Sequence, residues 1–184
     1  MDNGAICYRR YTDGDDEGMV ELIRDYKDGL TLYLLGITGN IFTAEEVMED
    51  TFFKLVVKKP RFSGKSSFKT WLYAIGRNAA LDAMRRAKHN APEPIDAELA
   101  DREEQSVWDE CLLNEKRRTV RRALAKLAPD YRQALYLTFF EEMSGDEAAA
   151  VMKKNRKQIE NLVYRAKAAL RAELEKEGFS YEDL

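Results

Sequence analysis

The densest group of side chains able to read a nucleic acid lies near the C-terminus: Arg156, Lys157, Glu160, Asn161, Tyr164 and Arg165. On a helix these six share one side, while Ile159, Leu162, Val163, Ala166 and Leu170 fall on the other. Arginine can donate two parallel hydrogen bonds to guanine and asparagine can make a bidentate pair with adenine. Lysine neutralises phosphate, and tyrosine can lie against a thymine methyl or a sugar edge. Glu160 has two readings: it accepts from a cytosine amino group, or it repels phosphate. Upstream, Ser144-Gly-Asp-Glu147 is a capping-box pattern that opens a short alanine-rich helix. Lys153-Lys154-Asn155 breaks the chain, and Asn155 with Gln158 suits the start of the next helix. A short capped helix, a tight turn and a longer helix with a basic outer side have the form of a helix-turn-helix. Ala149 is small where the helices must cross, and Ile159 faces inward. A helical hairpin with a solvated basic side has the same pattern, so the motif alone leaves both readings open.

Catalytic chemistry has little to work with here. His89 is the single histidine, and no phosphate loop or nucleophile motif is present. Cys7 and Cys111 are far apart and lack C-x-x-C spacing, so no metal site and no cofactor are expected, and both thiols are expected to be reduced. The most apolar stretch, Leu30 to Phe42, is interrupted by Gly36, Gly39 and Asn40 and falls short of the ~20 residues that a membrane helix needs. The N-terminal residues lack the apolar core of a signal peptide. A cytoplasmic protein without membrane insertion is the expectation.

The net charge of −3 conceals a segmental pattern. Lys54 to Lys88 holds ten bases against Asp82; Glu93 to Glu115 holds nine acids against Arg102; Lys153 to Arg171 holds seven bases against Glu160. Two basic segments flank an acidic one, which favours polyanion binding at two places.

The elements that must position these groups are all helical, because no alternating strand pattern occurs. Residues 1–14 show no periodicity and read as an N-terminal arm. From Asp15, Met19, Leu22, Ile23, Tyr26, Leu30, Tyr33 and Leu34 recur at helical spacing, interrupted at Asp28-Gly29. Thr43-Ala-Glu-Glu46 is read as the capping box of the next helix, with Val47, Met48, Thr51, Phe52, Leu55 and Val56 inward. Pro60 ends it, Arg61 to Ser67 is a loop, and a helix from about Phe68 to Lys88 buries Trp71, Leu72, Ile75 and Ala79. Residues 89–106, with two prolines and many acids, have linker composition. Periodicity resumes near Val107, and Pro129 suits the first turn of a further helix with Leu135 and Leu137 inward.

These motifs together resemble the extracytoplasmic-function (ECF) group of bacterial sigma factors. Ala44-Glu-Glu-Val-Met-Glu-Asp-Thr-Phe52, Phe62-Ser-Gly-Lys-Ser-Ser-Phe68, Trp71-Leu72, Ile75-Gly-Arg-Asn78, Asp82 and Arg85-Arg86 follow the order of the family's region two. Leu127-Ala-Pro129, Arg132, Leu135, Leu137, Ser144, Glu147, Ala149, Ile159, Arg165-Ala166 and Leu170 resemble region four. The resemblance implies an all-α chain of two small helical domains: a region-two bundle over 15–88 and a region-four helix-turn-helix over 107–175. A flexible acidic linker over 89–106 would join them, and a tail over 176–184 would follow.

It further implies a non-catalytic subunit that binds core RNA polymerase, through the largest subunit's clamp helices and the flap, and directs initiation at promoter DNA. Glu45, Glu46, Glu49 and Asp50 would dock on the clamp helices; Glu49 stands where the family usually has Gln, which should steepen the salt dependence of docking. Arg61, Phe62, Lys65, Ile75, Arg77, Asn78, Arg85 and Arg86 would hold the opened −10 strand, where an apolar pocket edged by an amide replaces lost stacking and pairing. At its spacing Trp71 reads as core, and Asn78 fits either a base contact or a structural hydrogen bond. Arg156, Lys157, Glu160, Asn161, Tyr164 and Arg165 would read the −35 element. Lys153 occupies a turn position where glycine is common. The linker fits either a polyanion mimic in the RNA exit path or a plain tether. An anti-sigma protein is an expected partner. A stand-alone DNA-binding regulator is the competing class, disfavoured by the N-terminal motifs, and a helical enzyme has no catalytic group to support it.

Overall fold

The computed structural model describes residues 2–90 and 115–178, and among these all regular structure is helical. The expected linker from residue 91 onward, the helical onset at Val107, Cys111 and the tail beyond residue 178 lie outside the described residues.

Helix α1 spans Asn3–Thr12, within the stretch expected to be an arm without periodicity. The Asp2 side chain caps it by accepting from the Ala5 amide at 3.3 Å. Its inner side is Gly4, Cys7, Tyr8 and Tyr11, all buried: a helical period built from glycine, cysteine and tyrosine rather than aliphatics. Helix α2 (Glu17–Thr38) runs unbroken through Asp28-Gly29. A Cβ at Gly29 would lie 2.7 Å from both the Glu141 carboxylate and the Tyr73 hydroxyl, so the glycine answers to packing and not to a turn. Gly39, with φ 72°, closes the helix.

Helix α3 spans Ile41–Lys58 and begins earlier than the Thr43 pattern suggests. Asn40 is the cap, its side chain accepting from the Thr43 amide at 2.9 Å, so Thr43 lies inside the first turn. Val47, Thr51, Phe52 and Leu55 are buried as expected, whereas Val56 is turned outward at 39% exposure. Helix α4 spans Phe68–Asn90, with Phe68, Leu72, Tyr73 and Ala80 buried against α2 and α3.

In the C-terminal half, α5 spans Glu115–Ala125 and α6 spans Pro129–Leu135 with its proline in the first turn. One π-helical turn, Tyr136–Phe140, follows, with the Glu141 amide donating to the Tyr136 carbonyl. Helices α7 (Gly145–Met152) and α8 (Arg156–Lys176) are the last among the described residues.

The two halves do not lie apart. Tyr33, Leu34, Leu72 and Tyr73 share one apolar core with Ala134, Leu137, Met143, Ala148, Val151 and Met152. Leu127, Leu135 and Ala166 form a smaller core confined to the C-terminal half. Polar groups register the junction. The Arg77 Nε donates to the Gln133 carbonyl oxygen at 2.8 Å, and Tyr136 donates to the Gly29 carbonyl at 3.1 Å. Lys69 reaches the Glu141 carboxylate at 2.5 Å, and Ser67 donates to Glu147 at 3.1 Å.

Candidate nucleic-acid interface

The turn and outer helix near the C-terminus are built as their residue types require. Ser144 accepts from the Glu147 amide while Glu147 accepts from the Ser144 amide at 3.0 Å, so both capping bonds are made. Asn155 and Gln158 repeat the exchange at the start of α8, each bond 2.8 Å. Between the helices Lys153 takes a left-handed conformation with φ 53°, the glycine-favouring backbone anticipated for that position. Ala149 and Ile159 are buried at the crossing.

Arg156, Lys157, Glu160, Asn161, Tyr164 and Arg165 all lie exposed on the outer side of α8, Tyr164 at 78%. Glu160 accepts from the Arg156 Nε at 3.1 Å and pairs with Lys157 at 3.6 Å. Arg156 also reaches Asp146 at 3.5 Å. In the free protein Glu160 therefore anchors the two basic groups of the helix N-terminus, and phosphate binding must compete with those surface pairs.

On α3, Glu45, Glu46, Glu49 and Asp50 are exposed, and among the described residues none pairs with a base. The same side carries three outward apolar groups that sequence reasoning passed over: Phe42, Phe53 and Val57, at 69, 65 and 60% exposure. Their spacing with Glu46, Glu49 and Asp50 is that of one helix side, and this was the available signal. An acidic stripe flanked by large apolar side chains suits a protein partner better than solvent does.

A groove lies between α3 and α4. Ile75, Asn78, Arg85 and Arg86 line it from α4 and Lys54 and Lys58 from α3, and Glu46, Asp50, Phe53 and Val57 of the acidic-apolar side reach into it as well. Arg85 also pairs with Asp82 at 2.6 Å. Arg61 and Lys65 are exposed in the α3–α4 loop, whose Gly64 has φ 69°. Phe62 is half-buried, its ring 5.2 Å from Trp71 and 5.7 Å from Phe68. Trp71 is a partly buried member of this aromatic cluster, in keeping with the core reading. Arg77 is not with the other bases: at 8% exposure it is turned into the junction with the C-terminal half, where Gln133 accepts its bond. The expected −10 set is thus divided into a loop group, a groove group and one buried arginine.

A helix-turn-helix with a basic outer helix, beside a bundle that carries a groove of mixed charge and an acidic-apolar stripe, has the form of a helical DNA-binding protein with a protein partner. Residues 22–90 match the model of Sigma-70 region 2, and residues 117–170 match that of Sigma-70, region 4. The probable RNA polymerase sigma-C factor of Mycobacterium bovis is 31% identical over 140 residues, which cover 74% of this chain and 73% of that one. The ECF RNA polymerase sigma factor SigW of Bacillus subtilis is 24% identical over 172 residues, 88% of this chain and 91% of its own. Among solved structures, CnrH in complex with the cytosolic domain of CnrY shares the fold with a TM-score of 0.69 and 23% identity, covering 95% of this chain and 99% of that one. The chain belongs to the ECF sigma factors of the sigma-70 family, non-catalytic subunits that give RNA polymerase its promoter specificity. Among the described residues no helix is long and apolar enough to cross a membrane.

Proposed function

We propose that this sigma factor divides its work among the three surfaces just described. The outer side of α3 docks on the clamp helices of the polymerase's largest subunit, with Glu45, Glu46, Glu49 and Asp50 supplying charge complementarity and Phe42, Phe53 and Val57 the desolvated contacts. The α3–α4 loop and groove hold the opened −10 strand. Ile75 and Asn78 offer an apolar surface edged by one amide, and Arg61, Lys65, Arg85 and Arg86 neutralise phosphates. The outer side of α8 enters the major groove at the −35 element, with Asn161, Tyr164 and Arg165 nearest the bases. The C-terminal half also meets the polymerase flap. The protein acts in the cytoplasm.

The single observation that carries this reading is the co-occurrence, on one chain, of an acidic-apolar stripe, an adjoining groove with Lys54, Lys58, Arg85 and Arg86 in its lining, and a capped helix-turn-helix. The junction adds a condition. Region two and region four share a core here, so engaging two promoter elements set apart along a duplex requires that junction to open, with Arg77 exchanging Gln133 for DNA phosphate. Two structural relatives were solved with CnrY and with the anti-sigma factor NepR respectively. A comparable inhibitor of this chain would compete with the polymerase for the α3 stripe.

Run-off transcription by bacterial core polymerase on pooled genomic fragments tests the reading. Discrete new transcripts are expected with the wild-type chain. Asn78→Ala should impair opening while leaving core binding intact, and Arg165→Ala should weaken −35-dependent initiation only. Unchanged initiation by Arg165→Ala would remove its assigned role.

A further inference from the structure

A loop that captures a base needs fixed ends, and in this chain both ends of the α3–α4 loop are held by α1. At the entry, the Tyr8 hydroxyl donates to the Pro60 carbonyl at 2.8 Å. One turn earlier, the Tyr11 hydroxyl donates to the Val56 carbonyl at 3.2 Å. Lys59, in the left-handed conformation with φ 40°, lies 4.6 Å over the Tyr11 ring. At the exit, the two carboxylate oxygens of Asp2 cap two helices at once: one accepts from the Ala5 amide of α1, the other from the Phe68 amide that begins α4. The space between is filled by the Tyr8 ring, 5.4 Å from Trp71 and 5.5 Å from Phe68, with Phe62 packed on the same pair. Gly4 permits the approach, since a Cβ there would meet the Phe68 ring at 2.6 Å.

The tip of the loop escapes this grip: Ser63, Gly64, Lys65 and Ser66 are exposed, as is the Arg61 side chain next to Pro60. A tyrosine that served the core alone would require no more than its ring. The Tyr8 hydroxyl, in a residue only 3% exposed, is committed to a carbonyl beyond the end of α3. Burial also pushes the Tyr8 phenol up to about 12, so the donor proton is held across the physiological range.

From this arrangement we propose that α1 is the positioning element of the −10 loop, with Tyr8 and Asp2 as its positioning residues, so that the N-terminal helix contributes to discrimination among −10 sequences. The proposal rests on the reading of the α3–α4 loop as a −10 contact. The test uses holoenzyme reconstituted from core polymerase and the full chain, with transcripts counted from promoter libraries randomised separately in the −10 and −35 elements. Tyr8→Phe removes one hydroxyl and keeps the ring. Discrimination among −10 variants should flatten roughly fivefold, the size of one net hydrogen bond, while −35 preference and core affinity stay at wild-type values. A uniform loss across all promoters would make Tyr8 merely structural and overturn the proposal. A loop-tip variant with Ser63, Lys65 and Ser66 replaced by alanine separates the remaining cases. If the tip variant flattens −10 discrimination and Tyr8→Phe does not, the positioning role is wrong and the loop reading stands. If neither does, the loop reading falls and the proposal with it.

Discussion

Gln133→Leu is the substitution that most directly interrogates the packing of the two halves. Gln133 is 2% exposed, and its carbonyl oxygen accepts from the Arg77 Nε at 2.8 Å and from the Tyr33 hydroxyl at 3.4 Å. Arg77 and Tyr33 are themselves 8% and 1% exposed, so water reaches neither freely. Leucine would fill much of the volume and remove the acceptor. A buried polar group left without a partner costs about 1–3 kcal/mol, and more when it is charged. With about 3 kcal/mol for the guanidinium, about 1 for the hydroxyl and about 1 returned by the apolar side chain, the net loss is about 3 kcal/mol. At about 2–4 °C per kcal/mol for a chain of this length, Tm should fall by about 6–12 °C in calorimetry. Adding Arg77→Met should recover at least ~1 kcal/mol, because the orphaned charge is gone. Were the halves apart in solution, water would meet both partners and Gln133→Leu would be near neutral. A Tm within about 2 °C of wild type, with no coupling to Arg77→Met, would refute the shared core.

Four further substitutions probe other features. Gly18→Ala would place a Cβ 2.3 Å from the Cys7 carbonyl and 2.9 Å from the Tyr11 amide. Backbone atoms cannot yield there, so denaturant unfolding should show a loss of about 2 kcal/mol despite alanine's better helix propensity. Ser144→Ala should cost about 1 kcal/mol through the lost cap. Hydrogen bonds from the Ser144 amide and then its hydroxyl hold the Glu147 carboxyl below the usual glutamate range. A carboxyl whose folded value is depressed stabilises above its unfolded value and loses that contribution as pH falls through the folded one. The acid limb of a stability profile should therefore flatten in Glu147→Gln: wild type is the more stable at neutral pH, and that advantage shrinks as pH falls below the usual glutamate range. Lys153→Gly should gain about 0.5–1 kcal/mol, since glycine takes φ 53° without a Cβ penalty and that gain is partly offset by its freer unfolded chain.

What could be read from the sequence was local. Ser144, Glu147, Asn155 and Gln158 announce their helices because capping acts over three residues. Pro129 likewise states its backbone requirement where it stands, whereas the left-handed turn at Lys153 was legible only from the glycine common at that position in the family. The Thr43 pattern misled for the same local reason, because Asn40 three residues earlier offered a competing acceptor and took the Thr43 amide. Helix α1 went unseen because glycine, cysteine and tyrosine carry its apolar side. Arg77 looked like one more base in a basic segment, since its partner Gln133 lies 56 residues further along the chain. No periodicity reports a contact of that range. Phe42, Phe53 and Val57 were legible as apolar, but that they faced outward required knowing which side of α3 the bundle covers.

Among the described residues, the contacts that join the halves run from α2 and α4 to α6 and α7. Continuity of the backbone is therefore not what keeps the halves together. A chain severed within that stretch should reassemble from its two fragments like a split protein. Each fragment made alone would expose half of a core, with Tyr33 and Tyr73 on one side and Leu137, Met143 and Met152 on the other. Insertions or replacement tethers in the same stretch should be tolerated for the same reason, because loop length enters closure entropy only logarithmically. Shortening has a limit, because the stretch must still span the gap between the end of α4 and the start of α5.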